Sequence, residues 1–356
     1  MPDATAPAGV TAVRAGFELD LPALARYLSQ QLPGFAGPLE VGQFEGGQSN
    51  PTYLLSTPGR RYVLRRKPPG RLLPSAHAVD REFRVISALG AASDVPVPHA
   101  WLLCEDETVI GTAFYVMDWV QGRILRDPSF PEVPAASRRA HGEALVDALA
   151  RLHRVDYQAA GLEDFGRAGG YVARQFARWS KQYLQDEAAG RVPAMDRLVE
   201  WLPTRMPARD DTCVVHGDYR CDNVVFDPAE PRVLAILDWE LATLGDPLAD
   251  FAYYLMIYRM PDAGVPGLAG RDLAALNLPS EEDCVAAYCR RTGRSGIPDL
   301  DFYVAFNLFK LAAVLHGIRG RVLRGTAASA RARDYAQKVD LVAGLAWEQA
   351  ERAMRR

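Results

Sequence analysis

The chain has 356 residues, 41 Lys and Arg against 44 Asp and Glu, a formal net charge of −3, and 49% hydrophobic residues. That balance excludes a disordered polymer and gives no electrostatic reason to expect a nucleic-acid partner. The length exceeds what one hydrophobic core usually fills, so two lobes are expected. No uninterrupted apolar run of about 18 residues reads as a membrane span. Five cysteines, an odd number without a C-x-x-C pair, read as reduced thiols and not as a disulfide framework or zinc site. The first residues, MPDATAPAGVTAVRAG, lack a basic start and an apolar h-region, so residues 1–16 read as a flexible tail and a cytoplasmic protein is expected.

Along the chain, Asp20 to Leu32 carries a helical pattern with Asp20 as N-cap and Pro33-Gly34 as its stop. Val41 to Phe44, Thr52 to Ser56 and Tyr62 to Arg65 read as strands, separated by a Gly-Gly turn and a Pro-Gly turn. Ser75 to Leu89 has amphipathic helical spacing with a break at Gly90, and Ala100 to Cys104 and Thr112 to Val116 read as further strands. Beyond about residue 122 the pattern turns helical: Ser137 to His153, Tyr171 to Leu184, Leu248 to Tyr258, Glu281 to Thr292, Phe302 to Leu323 and Ala328 to Met354. The expected fold class is α+β, with a small antiparallel N-lobe over 17–120 and a larger, mostly helical C-lobe over 121–356.

The most informative stretch runs from Val214 to Asp227, VVHGDYRCDNVVFD. Asp218 is placed to orient an acceptor hydroxyl, and Asn223, five positions on, to reach a metal, as phosphoryl transfer from a nucleotide requires. Val224-Val225-Phe226, a Pro-rich turn and Val233 to Leu237 then read as a hairpin. Its return brings Asp238 beside Asn223, two oxygen ligands of the kind Mg²⁺ takes while phosphates and water complete its shell.

With a strand-rich first lobe, a hinge and this loop, the chain resembles the aminoglycoside phosphotransferase family of protein-kinase-like enzymes over about residues 20 to 325. YVLRRKPPG, REF, FYVMDWVQG, VVHGDYRCDN and ILDWELATLGDPLADFAYY are most similar to the branch whose animal members are fused to acyl-CoA dehydrogenase domains. The resemblance implies a nucleotide-phosphate loop at Glu45 to Asn50, with Gly46 and Gly47 admitting the backbone and Ser49 donating to phosphate oxygens. A Gly-Gly turn also suits an ordinary hairpin. It implies Arg65, where the family usually has lysine, on the nucleotide phosphates, with Glu82 as its helix partner and Lys67 a possible substitute. The Asp118 carbonyl and Val120 amide would read the adenine edge, although a buried strand ending at Gly122 fits that segment too. Asp218 carries over as base, Asn223 and Asp238 as metal ligands, and Asp246 and Asp250 as residues that cap a helix and brace the loop.

ATP and Mg²⁺ are the implied cofactors and a small molecule the partner, with no nucleic acid and no membrane. Nothing in the sequence sets an oligomeric state. From Lys310 to Arg356 there are ten Lys or Arg against four Asp or Glu. Lys310, His316, Arg319 and Arg321, with Arg60, Arg61, Arg65, Arg66, Lys67 and Arg71, suggest a basic field or simply a basic solvated surface. Such a field favours an anionic acceptor over a polycationic antibiotic. The branch implies hydroxyacyl-CoA substrates, for which Trp239, Leu255, Met256 and Ile257 could face an acyl chain or belong to the core. The rival readings are a nucleotide-binding pseudokinase acting as a regulatory module and an antibiotic kinase.

Overall fold

The central strands of the N-terminal sheet are buried on both faces. The computed structural model describes residues 9–45, 50–68, 78–208, 211–327 and 331–355. Among them, β1 (Val10–Thr11), β2 (Glu40–Phe44), β3 (Thr52–Ser56), β4 (Arg61–Arg66), β5 (Ala100–Cys104) and β6 (Phe114–Asp118) form an antiparallel sheet ordered β1-β2-β3-β4-β6-β5. The period of two sorts β4: Tyr62 and Leu64 join Leu24 and Leu28 of α1 (Leu21–Gln31) in one core, while Val63 belongs to the other, which runs on into the C-lobe. Arg65 shares the Val63 side and therefore faces the helix α2 (Val79–Ala92) and the second lobe.

Two expectations about this lobe are corrected. Of the tail expected over 1–16, Val10 and Thr11 pair with Phe44 and Gln43 of β2, and the Arg14 amide donates to Gln43 Oε1 at 2.9 Å. This short strand covers the free edge of β2. The helix expected to break at Gly90 continues to Ala92, and a Cβ at that glycine would make only an ordinary contact with Val97 Cγ2 at 3.4 Å; a single glycine costs a helix about 1 kcal/mol and does not end it. Residues 75–77 of the expected helix lie outside the described residues.

The lobes join after β6. A Cβ on Gly122 would lie 2.3 Å from Phe226 O, so only glycine lets the connector pass. Arg123 and Phe226 then exchange both backbone hydrogen bonds at 2.8 Å, pinning the hinge to the hairpin that follows Asn223.

The C-lobe comprises α3 (Ala135–His153), α4 (Tyr171–Gln185), α5 (Pro193–Trp201), the strand pair β7 (Cys213–Val215) with β10 (Thr243–Gly245), the hairpin β8 (Val224–Phe226) with β9 (Val233–Ile236), α6 (Pro247–Leu255), α7 (Glu281–Thr292), α8 (Leu300–Leu323), α9 (Ala332–Ala336) and α10 (Val339–Arg355). α6 stops at Leu255 and hands over to a 3₁₀ turn, and the expected C-terminal helix is two helices meeting at Lys338. By length and composition α8 could cross a bilayer, contrary to the reading that no such segment exists, but 78% of its apolar window is buried and it is the central packing helix of this lobe. Asp301, Asn307 and Lys310 interrupt its apolar run, which hid it from a search for uninterrupted stretches. All five cysteines are free and buried.

Candidate active site

The catalytic loop leaves β7 at Val215 and turns at Gly217, whose φ of +82° and approach to Leu241 O, 2.8 Å from a hypothetical Cβ, both require glycine. Asp250 on α6 braces this turn, accepting the His216 amide on Oδ2 at 2.8 Å and the Gly217 amide on Oδ1 at 2.9 Å. His153 Nε2 reaches the same carboxylate at 3.1 Å and its Nδ1 reaches the Tyr288 hydroxyl at 2.8 Å. Burial opposes the Asp250 charge, but the His153 hydrogen bond and the fields of His153 and His216 prevail and hold its carboxyl below the usual range. Asp246 caps α6 through the amides of Leu248 and Ala249 and accepts the Tyr303 hydroxyl at 3.0 Å.

His216 ties the loop to the hairpin. Its Nδ1 accepts the Asp218 amide at 3.2 Å, so Nε2 carries the proton donated to Leu237 O at 2.8 Å. The Leu237 amide donates to Asn223 O at 2.8 Å, which places Asp238 one residue beyond that bond and beside Asn223. Asn223 Nδ2 donates to Asp218 O at 2.9 Å and to Asp218 Oδ2 at 3.2 Å, a double hold that turns its Oδ1 away as a ligand oxygen. Asp238 has φ +63° and ψ +60°, the left-handed region, which a non-glycine residue enters at a cost.

Arg65 joins the lobes. Its Nε lies 2.8 Å from Glu82 Oε2, and its Nη2 contacts Asp238 Oδ1 and lies 3.6 Å from Glu240 Oε2. Burial works against the guanidinium charge, but the Glu82 and Asp238 carboxylates outweigh it and raise the Arg65 pKa. Glu82 is 1% exposed and is satisfied further by Asn50 Nδ2 at 2.6 Å and the Tyr115 hydroxyl at 3.0 Å. β4 ends at Arg66, just before Lys67.

These groups border an interlobe cleft of about 1160 Å³ whose lining includes Val63, Arg65, Met117, Asn223, Ile236 and Asp238. Asp118 and Val120 lie on its wall. The Asp118 carboxylate is taken by Arg60 at 2.9 Å and Trp101 Nε1 at 2.8 Å, and its amide donates to His99 O at 2.9 Å. Gly46, Gly47 and Ser49 lie outside the described residues, as do His77 and Arg71.

A pair of oxygens from Asn223 and Asp238 suits a cation that keeps most of its shell for water and phosphate. When bound, such an ion would neutralise charge on the transferring phosphoryl group.

Most of the basic residues named from the sequence are engaged within the fold. Lys310 is buried and donates to Gly217 O at 3.0 Å, His316 Nε2 contacts Gly190 O at 2.7 Å, and Arg319 is paired with Asp340 and Ala336 O. Arg66 is buried against Tyr53, while Arg60 and Arg61 lie over the Trp101 and Trp119 rings. Of the four residues named on α8, Arg321 lines the cleft. Sequence periodicity identifies neither the pairing partners nor the buried side of an all-round apolar helix.

Sequence reasoning missed Tyr253, whose phenol donates to Asp218 Oδ1. Its spacing of three residues from Asp250 in the same helix was the available signal. It also missed the Arg220–Asp222 pair and an apolar cavity of about 70 Å³ behind the loop. Met256, Ile257, Met260, Leu278 and Leu311 line that cavity, with Tyr253 and Arg220 on its catalytic side. Arg126 and Asp222 line both the cavity and the cleft. Trp239 and Leu255 are core instead, at 2% and 0% exposure.

A strand-rich lobe hinged to a helical one, with this loop and hairpin between them, defines the class of protein-kinase-like phosphotransferases. A model of the phosphotransferase enzyme family (APH) matches residues 40–288, and the chain belongs to that family. It is 44% identical over 339 residues to acyl-CoA dehydrogenase family member 10 of Mus musculus, covering 94% of this chain and 32% of that protein. It is 46% identical over 341 residues to family member 11 of Gallus gallus, covering 93% and 43%. The chain thus spans less than half the length of these relatives. A solved Ralstonia eutropha structure, provisionally assigned as an aminoglycoside phosphotransferase, is 47% identical with a TM-score of 0.86, covering 94% of this chain and 99% of that one. The fold is also that of aminoglycoside phosphotransferase APH(4)-Ia bound to AMP-PNP and hygromycin B, at TM-score 0.59, 17% identity and coverage of 92% and 98%.

Proposed function

We propose that this chain is an ATP- and Mg²⁺-dependent kinase that phosphorylates a hydroxyl of a small anionic metabolite, a hydroxyacyl-CoA type alcohol ahead of an aminoglycoside. The observation that carries this reading is the convergence of Arg65, Asp218, Asn223 and Asp238 beside an apolar cavity with Arg126 and Arg220 in its wall. In the transfer, the acceptor oxygen forms its bond to the terminal phosphorus as the bond to the bridging oxygen of the departing diphosphate breaks, and the hydroxyl proton passes to Asp218. Arg65 steadies the phosphates, and Asn223 and Asp238 hold the metal. The arginines and the apolar wall support an acceptor with both an anionic group and an aliphatic chain, and the names of the relatives point to acyl-CoA chemistry in the same polypeptides.

The test is incubation of the purified chain with ATP and Mg²⁺ against hydroxyacyl-CoAs, free hydroxy acids, aminoglycosides, choline and sugars, with products read by mass spectrometry. A phosphorylated hydroxyacyl-CoA that disappears in Asp218→Asn is the expected result. Phosphorylation confined to aminoglycosides would remove the acceptor assignment, and equal turnover by Asp218→Asn would remove the catalytic one. The Arg65 contact with Asp238 favours a second reading, a nucleotide-binding module without transfer, which predicts nucleotide binding with no Asp238-dependent ATP hydrolysis.

A further inference from the structure

Two residues on the acceptor side of Asp218 have no role in the chemistry described so far. Tyr253 on α6 is 8% exposed, donates its phenol proton to Asp218 Oδ1, and presents its side chain to the apolar cavity. Lys310 on α8 is 9% exposed, places its ammonium 5.1 Å from the centroid of the Tyr253 ring, and donates to Gly217 O at 3.0 Å. Burying an ammonium is expensive, and an aromatic face with one carbonyl compensates it less well than a carboxylate does. Desolvation accordingly lowers the Lys310 pKa against the opposing fields of Asp250 and Asp218. An apolar side chain of similar length would fill the site at lower cost, so packing alone does not account for a lysine there.

We propose that Tyr253 and Lys310 are a positioning pair for the transfer step: the phenol fixes Asp218 Oδ1 so that Oδ2 meets the acceptor hydroxyl, and the ammonium holds both the Tyr253 ring and the peptide preceding Asp218. The proposal rests on the kinase reading above. Without the phenol on Oδ1, the carboxylate keeps one hydrogen bond, from Asn223, and the looser approach of Arg220 Nε at 4.0 Å, so it is freer to rotate about its terminal torsion. With both oxygens engaged its plane is set before the acceptor arrives, which is how positioned groups lower a barrier. Because Tyr253 also walls the cavity, the same ring that aims the base bounds the space for the acceptor chain.

The experiment compares the full chain with Tyr253→Phe, Lys310→Met and the double variant, using 2-, 3-, 4- and 5-hydroxyhexanoyl-CoA as acceptors. The readouts are kcat for phosphorylated product, KM for MgATP, acceptor-free ATP hydrolysis and melting temperature. Tyr253→Phe should lower transfer kcat about tenfold, the scale of one lost charge-assisted hydrogen bond, with KM for MgATP unchanged and more ATP lost to water per transfer. The double variant should be no worse than the poorer single, since the residues act as a unit. Unchanged transfer by Tyr253→Phe, or multiplicative losses in the double, overturns the pair while the kinase reading stands. A wild-type chain with no Asp218-dependent consumption of ATP overturns both. If Lys310→Met does not fold, the kcat-against-KM split of Tyr253→Phe decides alone.

Discussion

Arg65 on β4 of the N-lobe contacts Asp238, two residues beyond the end of β9 in the C-lobe, so a guanidinium of one lobe and a carboxylate of the other hold each other across the cleft. The same guanidinium is anchored to buried Glu82, 2.8 Å away. A lysine presents a point charge and cannot span both acids with the planar geometry of this fork.

Arg65→Met should therefore destabilise the protein by about 3–5 kcal/mol in urea unfolding, because Glu82 is left as an unpaired buried charge. Adding Glu82→Gln to that background should recover part of the loss. A double variant less stable than Arg65→Met would contradict this account of the pair.

Asn223→Ala and Asp238→Asn should each raise the Mg²⁺ concentration for half-maximal ATP turnover by about tenfold or more, the scale on which even outer partners of a metal matter. Titration of turnover with Mg²⁺ at saturating ATP measures this. An unaltered midpoint in both variants would place the ion elsewhere.

Asp250 gives a signed pH dependence. Its carboxyl pKa is depressed in the folded chain, so its contribution is present above the unfolded value of about 3.9 and is lost as pH falls through the lower folded value. The stability gap between the native chain and Asp250→Asn should thus be constant near neutrality and shrink below about pH 4. Urea midpoints measured along a pH series check this, and a gap that widens on acidification would reverse the sign.

Gly217→Ala should fold with a loss of about 1–3 kcal/mol and lose most transfer activity, since a Cβ would be 2.8 Å from Leu241 O at a positive φ. Thermal unfolding and product formation together test it. Full activity in the alanine variant would show that the loop has room to shift.

The strands, the hinge and the catalytic hairpin were legible because period-two patterning, turn residues and the Asp218–Asn223 spacing are local. So were the Asp246 cap and the Asp250 brace. Lys310 was legible only as a charge, since its partner Gly217 O is 93 residues away and α8 is apolar on most sides. The Tyr253 contact with Asp218 closes over 35 residues and depends on how α6 packs under the loop, which no propensity encodes. The short β1 strand was invisible for a similar reason: two residues carry no period, and only the free edge of β2 recruits them.

The left-handed backbone of Asp238 makes this position answer to two filters at once. Asparagine and glycine satisfy the torsion angles but remove the negative charge, glutamate keeps the charge but fits the torsion less well, and β-branched residues fail on shape. In a randomised library at this codon, sorting for soluble protein would enrich Asp, Asn and Gly together, and sorting for turnover would then leave Asp alone. Fold and charge at this position are thus separable by a single atom exchange, Asp238→Asn, which keeps the backbone shape and removes the carboxylate.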